Sequence, residues 1–570
     1  MAGQLDAWLV PRGSPLHFHP AIVTYSRRAF VRQGSAALAA AGHWPIAGIR
    51  RADVPLVLRN GILLDGLGGA GTRGELAIAN GRIAAMGARV AERGELEIDL
   101  GGQVIAPGFI DIHSHGDGSL FADSRLESVV RQGITTIVIG QDGSSRATGA
   151  PDGRGEESGR FATIGRLLDA IDRLQPGANV ASMIGLGSVR GDVVGLDDRP
   201  ATAGEISRMR ALVERALEEG ACGVSSGLEY TPGAFARTDE LIAVCGPLAA
   251  RRLPYSTHMR NEDDQLLDAI AESIAVARGA RCPLQIAHLK TQGPRNWSRL
   301  DEAFRAIESA RQEGIDVAFD RYPYIAYQTG LTNLFPVWSR DGGIDLFFQR
   351  LVDPTVAPRI EAETLAKVEL IGGWDNVMIA NVSTAEDRGA EGRRLRELAA
   401  SRGVDPYPLA VELLRRNKGN VGMVGFAMSE DNLDRILAHP LGMVCSDGGA
   451  FAIEGPTRRG HPHPRGLGSF PRVLGRYVRE RRALTLPQAV HKMTALPASR
   501  LGITDRGRLA VGLAADITVF DPNVVADRAT YDAPFQYPVG ISLVIVNGRI
   551  ALRDGERTAG GSGMAVRSRR

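Results

Sequence analysis

Only four cysteines occur in 570 residues, Cys222, Cys245, Cys282 and Cys445, and no two of them are spaced as a C-x-x-C pair. This pattern builds no disulfide framework, and the four read as small core residues. No apolar run reaches about 18 residues, so no helical membrane span is indicated. Excess charge of one sign is missing too. Lys and Arg number 67 against 65 Asp and Glu, and a net charge of +2 offers no basic footprint for nucleic acid. No internal repeat or low-complexity block appears. What remains is a globular composition, 44% hydrophobic and 23% charged, able to bury a substantial core. The length exceeds one small domain and fits a large barrel with appendages or about two to three domains. The 69 glycines suit a chain with many tight strand-to-helix turns.

Residues 1–50 stand apart. "SRRAFVRQGSAALAAAG", Ser26 to Gly42, is similar to a twin-arginine export signal, with Ala39-Ala40-Ala41 as small residues for cleavage. This gives the expectation of a periplasmic or exported protein whose partner is the export machinery. The alternative is a cytoplasmic protein with an ordinary arginine-bearing surface helix. His17 and His19 lie in the same segment with no strand around them and are read as unstructured.

Short apolar runs broken by Asn-Gly pairs mark both ends of the remaining chain: Asn60-Gly61, Asn80-Gly81 and Asn547-Gly548. Such pairs signal hairpins. The segments 54–107 and 506–555 are therefore expected to assemble one β-sandwich, with 556–570 as a flexible tail. Between them strand and helix alternate. "GQVIAPGFIDIHSH", "GITTIVIG", "ANVASMIGLG", "ACGVSSGLEY", "LPYSTHMRNE", "CPLQIAHLK", "IDVAFDRYPY" and "GMVCSDGGA" make eight candidate strands. Helical patterns separate most of them; 202–220 has a Thr N-cap candidate and a closing Gly, and 263–280 reads likewise. The pattern is that of a (β/α)₈ barrel over 108–505. Strand seven ends near Asp320 and strand eight starts near Leu441, a gap of about 120 residues that exceeds one helical crossover. An inserted subdomain around 345–420 is expected there, a candidate substrate lid.

Residues two apart on a strand face the same side, so Asp111, His113 and His115 share one face at the end of the first strand. An H-x-H pair alone also fits a polar strand end. But His258 ends the fifth strand, His288 the sixth and Asp447 the eighth. In a barrel all of these converge on the C-terminal mouth, and imidazole is the usual ligand of zinc.

The set H-x-H, His, His and Asp resembles the metal-dependent amidohydrolase superfamily. The strings "SSGLEYTPG", "THMRNE", "IAHLK", "SDGGA" and "HPRGLGSFPRVLGRYVRE" are similar to those of the N-acyl-D-amino-acid deacylases, or D-aminoacylases, and the resemblance runs from about Val54 to Gly555. It implies one or two zinc ions per chain and a small-molecule substrate with a linear amide bond. His113 and His115 are implied as ligands of one metal, and His258 and His288 as ligands of a second or tighter one. Asp447 is implied as a further ligand and as the base that takes a proton from the attacking water and hands it to the leaving amine. Tyr322 is implied to hydrogen-bond the scissile carbonyl. Lys290, Arg260 and Arg465 are implied as binders of the substrate's anionic group.

One departure bears on the metal centre. Many family members carry a metal-binding cysteine in a "GNCG"-like turn after strand two; here the turn is "GQDG", with Asp142 in that place. Glu229 after strand four is the favoured bridging ligand and Asp142 the alternative, and either carboxylate is harder than a thiolate. No lysine occurs in "ACGVSSGLEYTPG", which disfavours the carboxylated-lysine centre of hydantoinase- or dihydroorotase-like enzymes. Leu186 stands where the family often has a histidine, which implies a different pocket. The alternatives are a cyclic-amide or dipeptide hydrolase on the same scaffold, or a catalytically silent barrel that binds.

Overall fold

The computed structural model describes residues 56–147, 160–558 and 560–568. The twin-arginine segment, His17 and His19 lie outside the described residues.

Eight parallel strands form the barrel: β1 (Phe109–Asp111), β2 (Ile134–Ile139), β3 in two pieces (Asn179–Ser182 and Ile184–Gly185), β4 (Val224–Gly227), β5 (Tyr255–His258), β6 (Leu284–Ile286), β7 (Val317–Arg321) and β8 (Gly442–Val444). Each pairs in parallel with its successor. The ring closes just beyond β8, where the Asp447 backbone N–H donates to the His113 carbonyl at 2.8 Å and the His115 N–H to the Gly448 carbonyl at 2.9 Å. Strands buried on both faces read as continuous apolar or small-residue runs, and all six residues of β2, ITTIVI, are buried.

The helices follow their local signals. Ala203–Glu218 begins with a capping box between Thr202 and Glu205 and buries Met209, Val213, Ala216 and Leu217 on one face. Full burial of a Val or Leu side chain is worth roughly 1.5–3 kcal/mol, so this stripe, more than helix propensity, docks the helix on the barrel. Leu266–Ala280 packs in the same way, though Gln265 at its start makes no side-chain cap.

The terminal segments merge into one nine-stranded sheet. Its seam is the antiparallel pairing of Val104–Pro107 with Ile517–Phe520. Leu58, Leu76, Ile78 and Ile105 from the first segment share a core with Ile517, Val519, Leu543 and Ile545 from the second.

Three local expectations are corrected. Asn80-Gly81 and Asn547-Gly548 do turn hairpins, but Asn60-Gly61 does not. The strand Leu56–Leu63 runs straight through it with a bulge between Leu58 and Gly61. Asn60, at φ 54°, takes up the left-handed conformation without reversing the chain. On its other edge the strand pairs with Leu96–Asp99 before the bulge and with Val104–Ile105 after it. The 556–570 tail is not free over its described part. Val566 N–H donates to the Val180 carbonyl at 2.9 Å, Ala565 is buried, and Arg567 pairs with Asp172 at 2.6 Å. Apolar and charged partners on the barrel outweigh the entropy of the chain end. The insertion is also wider than 345–420. Ala326–Gly330 and Val377–Asn381 flank Gly422–Phe426 in a separate antiparallel sheet, so its own strands bracket its helices.

Candidate active site

The strand ends converge on a pocket of about 580 Å³. His113 is fully buried and His115 is partly open to the pocket. Asp111, on the same strand, is not available to it. Its carboxylate accepts from the Ser446 N–H at 2.8 Å and the Ser446 hydroxyl at 2.5 Å, tying β1 to the segment after β8, and burial pushes it up to about 7.

After β2, Asp142 and Gly143 both sit at positive φ, 52° and 74°. This left-handed turn folds the Asp142 carboxylate back over the barrel mouth. Its Oδ1 lies 3.4 Å from His113 Nε2 and 3.6 Å from His288 Nε2; its Oδ2 lies 3.3 Å from His115 Nε2 and 3.8 Å from His258 Nδ1. Asp142 thus faces both histidine pairs. Glu229 does not: its Oε2 is 3.4 Å from His258 Nε2, the ring nitrogen turned away from Asp142. Asp142, and not Glu229, is thus the carboxylate placed between the two histidine pairs, while Glu229 groups with His258 and Glu262. The reason is topological, because the turn after β2 opens beside β1 and reaches across the mouth, whereas Glu229 lies on the His258 side alone.

Asp447 completes the near side. Its Oδ1 lies 3.1 Å from His115 Nε2 and 3.5 Å from His113 Nε2, and Arg465 Nη1 donates to its Oδ2 at 2.5 Å. Burial alone would raise the Asp447 carboxyl, but the Arg465 guanidinium and the neighbouring histidines outweigh it and hold it well below the usual carboxylate range. His115 is shifted the other way. Burial opposes its charge, yet Asp142 and Asp447 push it up to about 9.

Several positioning groups were not singled out from the sequence. Asp320, at the end of β7, accepts from the His288 backbone N–H and from Gln285 Nε2, both at 2.8 Å, and lies 3.5 Å from His113 Nδ1. Its signal was a carboxylate ending the run "IDVAFD". Glu262 lies 3.0 Å from His288 Nδ1 and 2.6 Å from Lys290 Nζ through either oxygen. It sits inside "THMRNE", but nothing local marks it.

Lys290, expected to bind substrate, is buried and its ammonium is already matched by Glu262. Arg260 is withdrawn altogether: it donates to Glu272 and to the carbonyls of Ala234 and Ala236 and does not line the pocket. The compact loop after β4 captures it first. Arg465 and Tyr322 do line the pocket, with the Arg465 guanidinium carbon 4.8 Å from the centre of the Tyr322 ring.

Both ring nitrogens of His113, Oδ1 of Asp142, Oδ1 of Asp447 and the Tyr322 hydroxyl are buried without a hydrogen bond among the described residues. Leaving such groups unmatched is costly. Two donor sets account for most of them: His113, His115, Asp142 and Asp447, and then Asp142, His258 and His288. Four donors about 2.0–2.1 Å from a zinc ion lie about 3.3 Å apart along the tetrahedron edge. The 3.0–3.8 Å separations here are of that size, so the residues fit zinc, with Asp142 common to both sets.

A barrel whose mouth carries four histidines and two carboxylates around a cation-sized gap defines a class, the metal-dependent hydrolases. The chain belongs to the amidohydrolase family, whose model matches residues 96–552. It is 37% identical over 502 residues to the N-acyl-D-glutamate deacylase of Alcaligenes xylosoxydans xylosoxydans, covering 86% of this chain and 92% of that one. It is 36% identical to the D-aminoacylase of the same organism, covering 86% and 93%. Among solved structures, the N-acyl-D-glutamate deacylase of Bordetella bronchiseptica, complexed with zinc and a phosphonate mimic of the tetrahedral intermediate, matches with a TM-score of 0.78 and 35% identity, covering 90% of this chain and all of that one. The L-hydantoinase of Arthrobacter aurescens, at 17% identity and a TM-score of 0.54, shares the fold. The protein is a zinc-dependent amidohydrolase.

Proposed function

We propose that the enzyme hydrolyses N-acyl-D-amino acids to a carboxylate and a free D-amino acid. The observation that carries this reading is the Asp447 carboxylate, kept ionised by Arg465 and set beside the donor sets that share Asp142, in a chain similar to an N-acyl-D-glutamate deacylase and a D-aminoacylase.

Zinc, when bound, polarises the scissile carbonyl and brings the pKa of a water to about 7. The chain supplies the rest. Asp447 accepts a proton from the attacking water as the C–O bond forms, then delivers it to the amide nitrogen as the C–N bond breaks. The buried Tyr322 hydroxyl, unmatched among the described residues, donates to the carbonyl oxygen as negative charge develops there. Arg465 holds the Asp447 oxygen aimed and, with its remaining donors, faces the substrate carboxylate. Asp320 and Glu262 hold the histidine rings. β4 ends at Gly227 and is followed by Leu228 and Glu229, with no lysine there to carboxylate, which disfavours the cyclic-amide alternative.

The test is a paired panel of N-acetyl-D- and N-acetyl-L-amino acids on the zinc-loaded enzyme. Cleavage of D-compounds at least about tenfold faster than their L-partners is expected; equal rates, or cleavage of cyclic ureides alone, would sink the proposal. Export by the twin-arginine route is proposed on the Ser26–Gly42 segment. Residues 1–50 fused to a folded reporter should carry it out of the cytoplasm, and Arg27→Lys with Arg28→Lys should stop it.

A further inference from the structure

Three cations line the catalytic pocket, and each is neutralised: Lys290 by Glu262, Arg465 by Asp447, and Lys367 by Asp263. A buried cation nearby is treated differently. Arg340, which closes the short helical turn Val337–Arg340 of the insertion, is only 8% exposed. Its hydrogen-bond partners are neutral: Asn333 Oδ1 at 3.0 Å and the Glu229 backbone carbonyl at 3.1 Å. Its Nε is buried and unmatched among the described residues. Burial lowers it to about 10, partly opposed by the charge of Glu229, whose own carboxylate faces His258 and the field of Lys367.

Arg340 lines a cavity of about 390 Å³. Lys418, exposed on its rim, is a second cation, and among the described residues no Asp or Glu lines this cavity. Asn333 and Asn420 line both this cavity and the catalytic pocket, as do Tyr230 and Gly330, so the two spaces adjoin. A guanidinium withdrawn from water is kept at a cost unless an anion meets it, and its planar donors match a carboxylate two at a time.

We propose that this side cavity is a carboxylate subsite, and that Arg340 with Lys418 selects substrates bearing a second carboxylate beyond the scissile amide. The proposal rests on the deacylase reading and adds to it the substrate's charge. The second carboxylate comes either from the amino-acid side chain or from the far end of the acyl chain. The relatives described above include enzymes named for an acidic amino acid and one named for D-amino acids in general, so similarity does not decide it.

The experiment compares kcat/KM on the zinc-loaded full chain for two matched pairs: N-acetyl-D-glutamate with N-acetyl-D-glutamine, and N-succinyl-D-alanine with N-butyryl-D-alanine. The first pair reads the side chain, the second the acyl chain. In one pair the charged member should be favoured by about 10- to 100-fold, the size of a charge-assisted contact. Arg340→Gln should erase that ratio, Arg340→Lys should keep part of it, and Lys418→Ala should reduce it less. The loss should fall on KM more than on kcat. If Arg340→Gln lowers both members equally, Arg340 is a structural pin and the proposal is overturned; no charged preference in either pair overturns it too. If Arg340→Gln does not fold, Arg340→Lys and Lys418→Ala carry the test. If none of the four compounds is cleaved, the deacylase reading fails, and calorimetry with glutarate against butyrate decides the subsite separately. Tighter glutarate binding that the Arg340 variants weaken upholds it, and equal binding overturns it.

Discussion

On the barrel side of the catalytic pocket, His113, His115, Asp142, His258, His288 and Asp447 stand within hydrogen-bonding or ion-pair distance of one another, locked by Asp320, Glu262 and Arg465. On the insertion side the wall is made largely of neutral groups, among them Tyr327, Gln328, Asn381 and Asn420, with Lys367 as its paired cation. The first wall is charged, mutually constrained and mounted on the ends of rigid strands. The second is carried by a subdomain with a sheet of its own. Chemistry that needs sub-ångström placement sits on the scaffold, and selection among substrates sits on the part able to vary without disturbing it.

That division can be broken from either side. Asp447→Asn should have the largest effect, a fall in kcat of about 10²- to 10⁴-fold. Elemental analysis should show at least one zinc retained; unchanged kcat would remove Asp447 from proton transfer. Asp142→Ala should cost at least one bound zinc per chain, while Asp142→Cys should keep it, because a thiolate is also a zinc ligand. Equal zinc in wild type and Asp142→Ala would mean that the two donor sets do not share this carboxylate. Asp320→Asn touches no substrate but loosens the His113 ring and the backbone at His288, and a loss of about 10- to 100-fold in zinc affinity or turnover is expected, read by competition with a chelator.

On the insertion side the effects should be smaller and of another kind. Tyr327→Phe should leave zinc content as it is and alter kcat/KM ratios between acyl groups by less than about tenfold; a loss of zinc would show that the two walls are not separable. Smallest of all, and far from both walls, Thr202→Ala removes the cap of Ala203–Glu218. It should lower stability by about 1 kcal/mol in a denaturant titration with kcat unchanged.

How far each wall could be read in advance follows the same line. His258, His288 and Asp447 each close a short apolar or small-residue run, and a strand end in a barrel has one destination, so position along the chain was enough. Hairpins at Asn80-Gly81 and Asn547-Gly548 were equally local. Asn60-Gly61 shows the limit of such signals: the same dipeptide makes a bulge when strands on both edges hold the chain straight. The extent of the insertion was hidden because its bracketing strands, 326–330 and 422–426, pair with each other, and 422–426 also with Val377–Asn381, across dozens of residues.

By itself, then, the sequence determined the barrel, the split terminal sheet and the histidine–aspartate set at its mouth, because each rests on periodicity and on residues that end a local pattern. The tertiary structure alone decided that Asp142 and not Glu229 lies between the histidine pairs, that Glu262 takes Lys290, that Arg260 is turned away, and that Arg340 has no carboxylate at ion-pair distance among the described residues. Those outcomes depend on which charges meet within a few ångströms after the chain has folded. Electrostatic energy in a buried site is set by that separation and by exclusion of water, and neither is written in the distance between two residues along the chain.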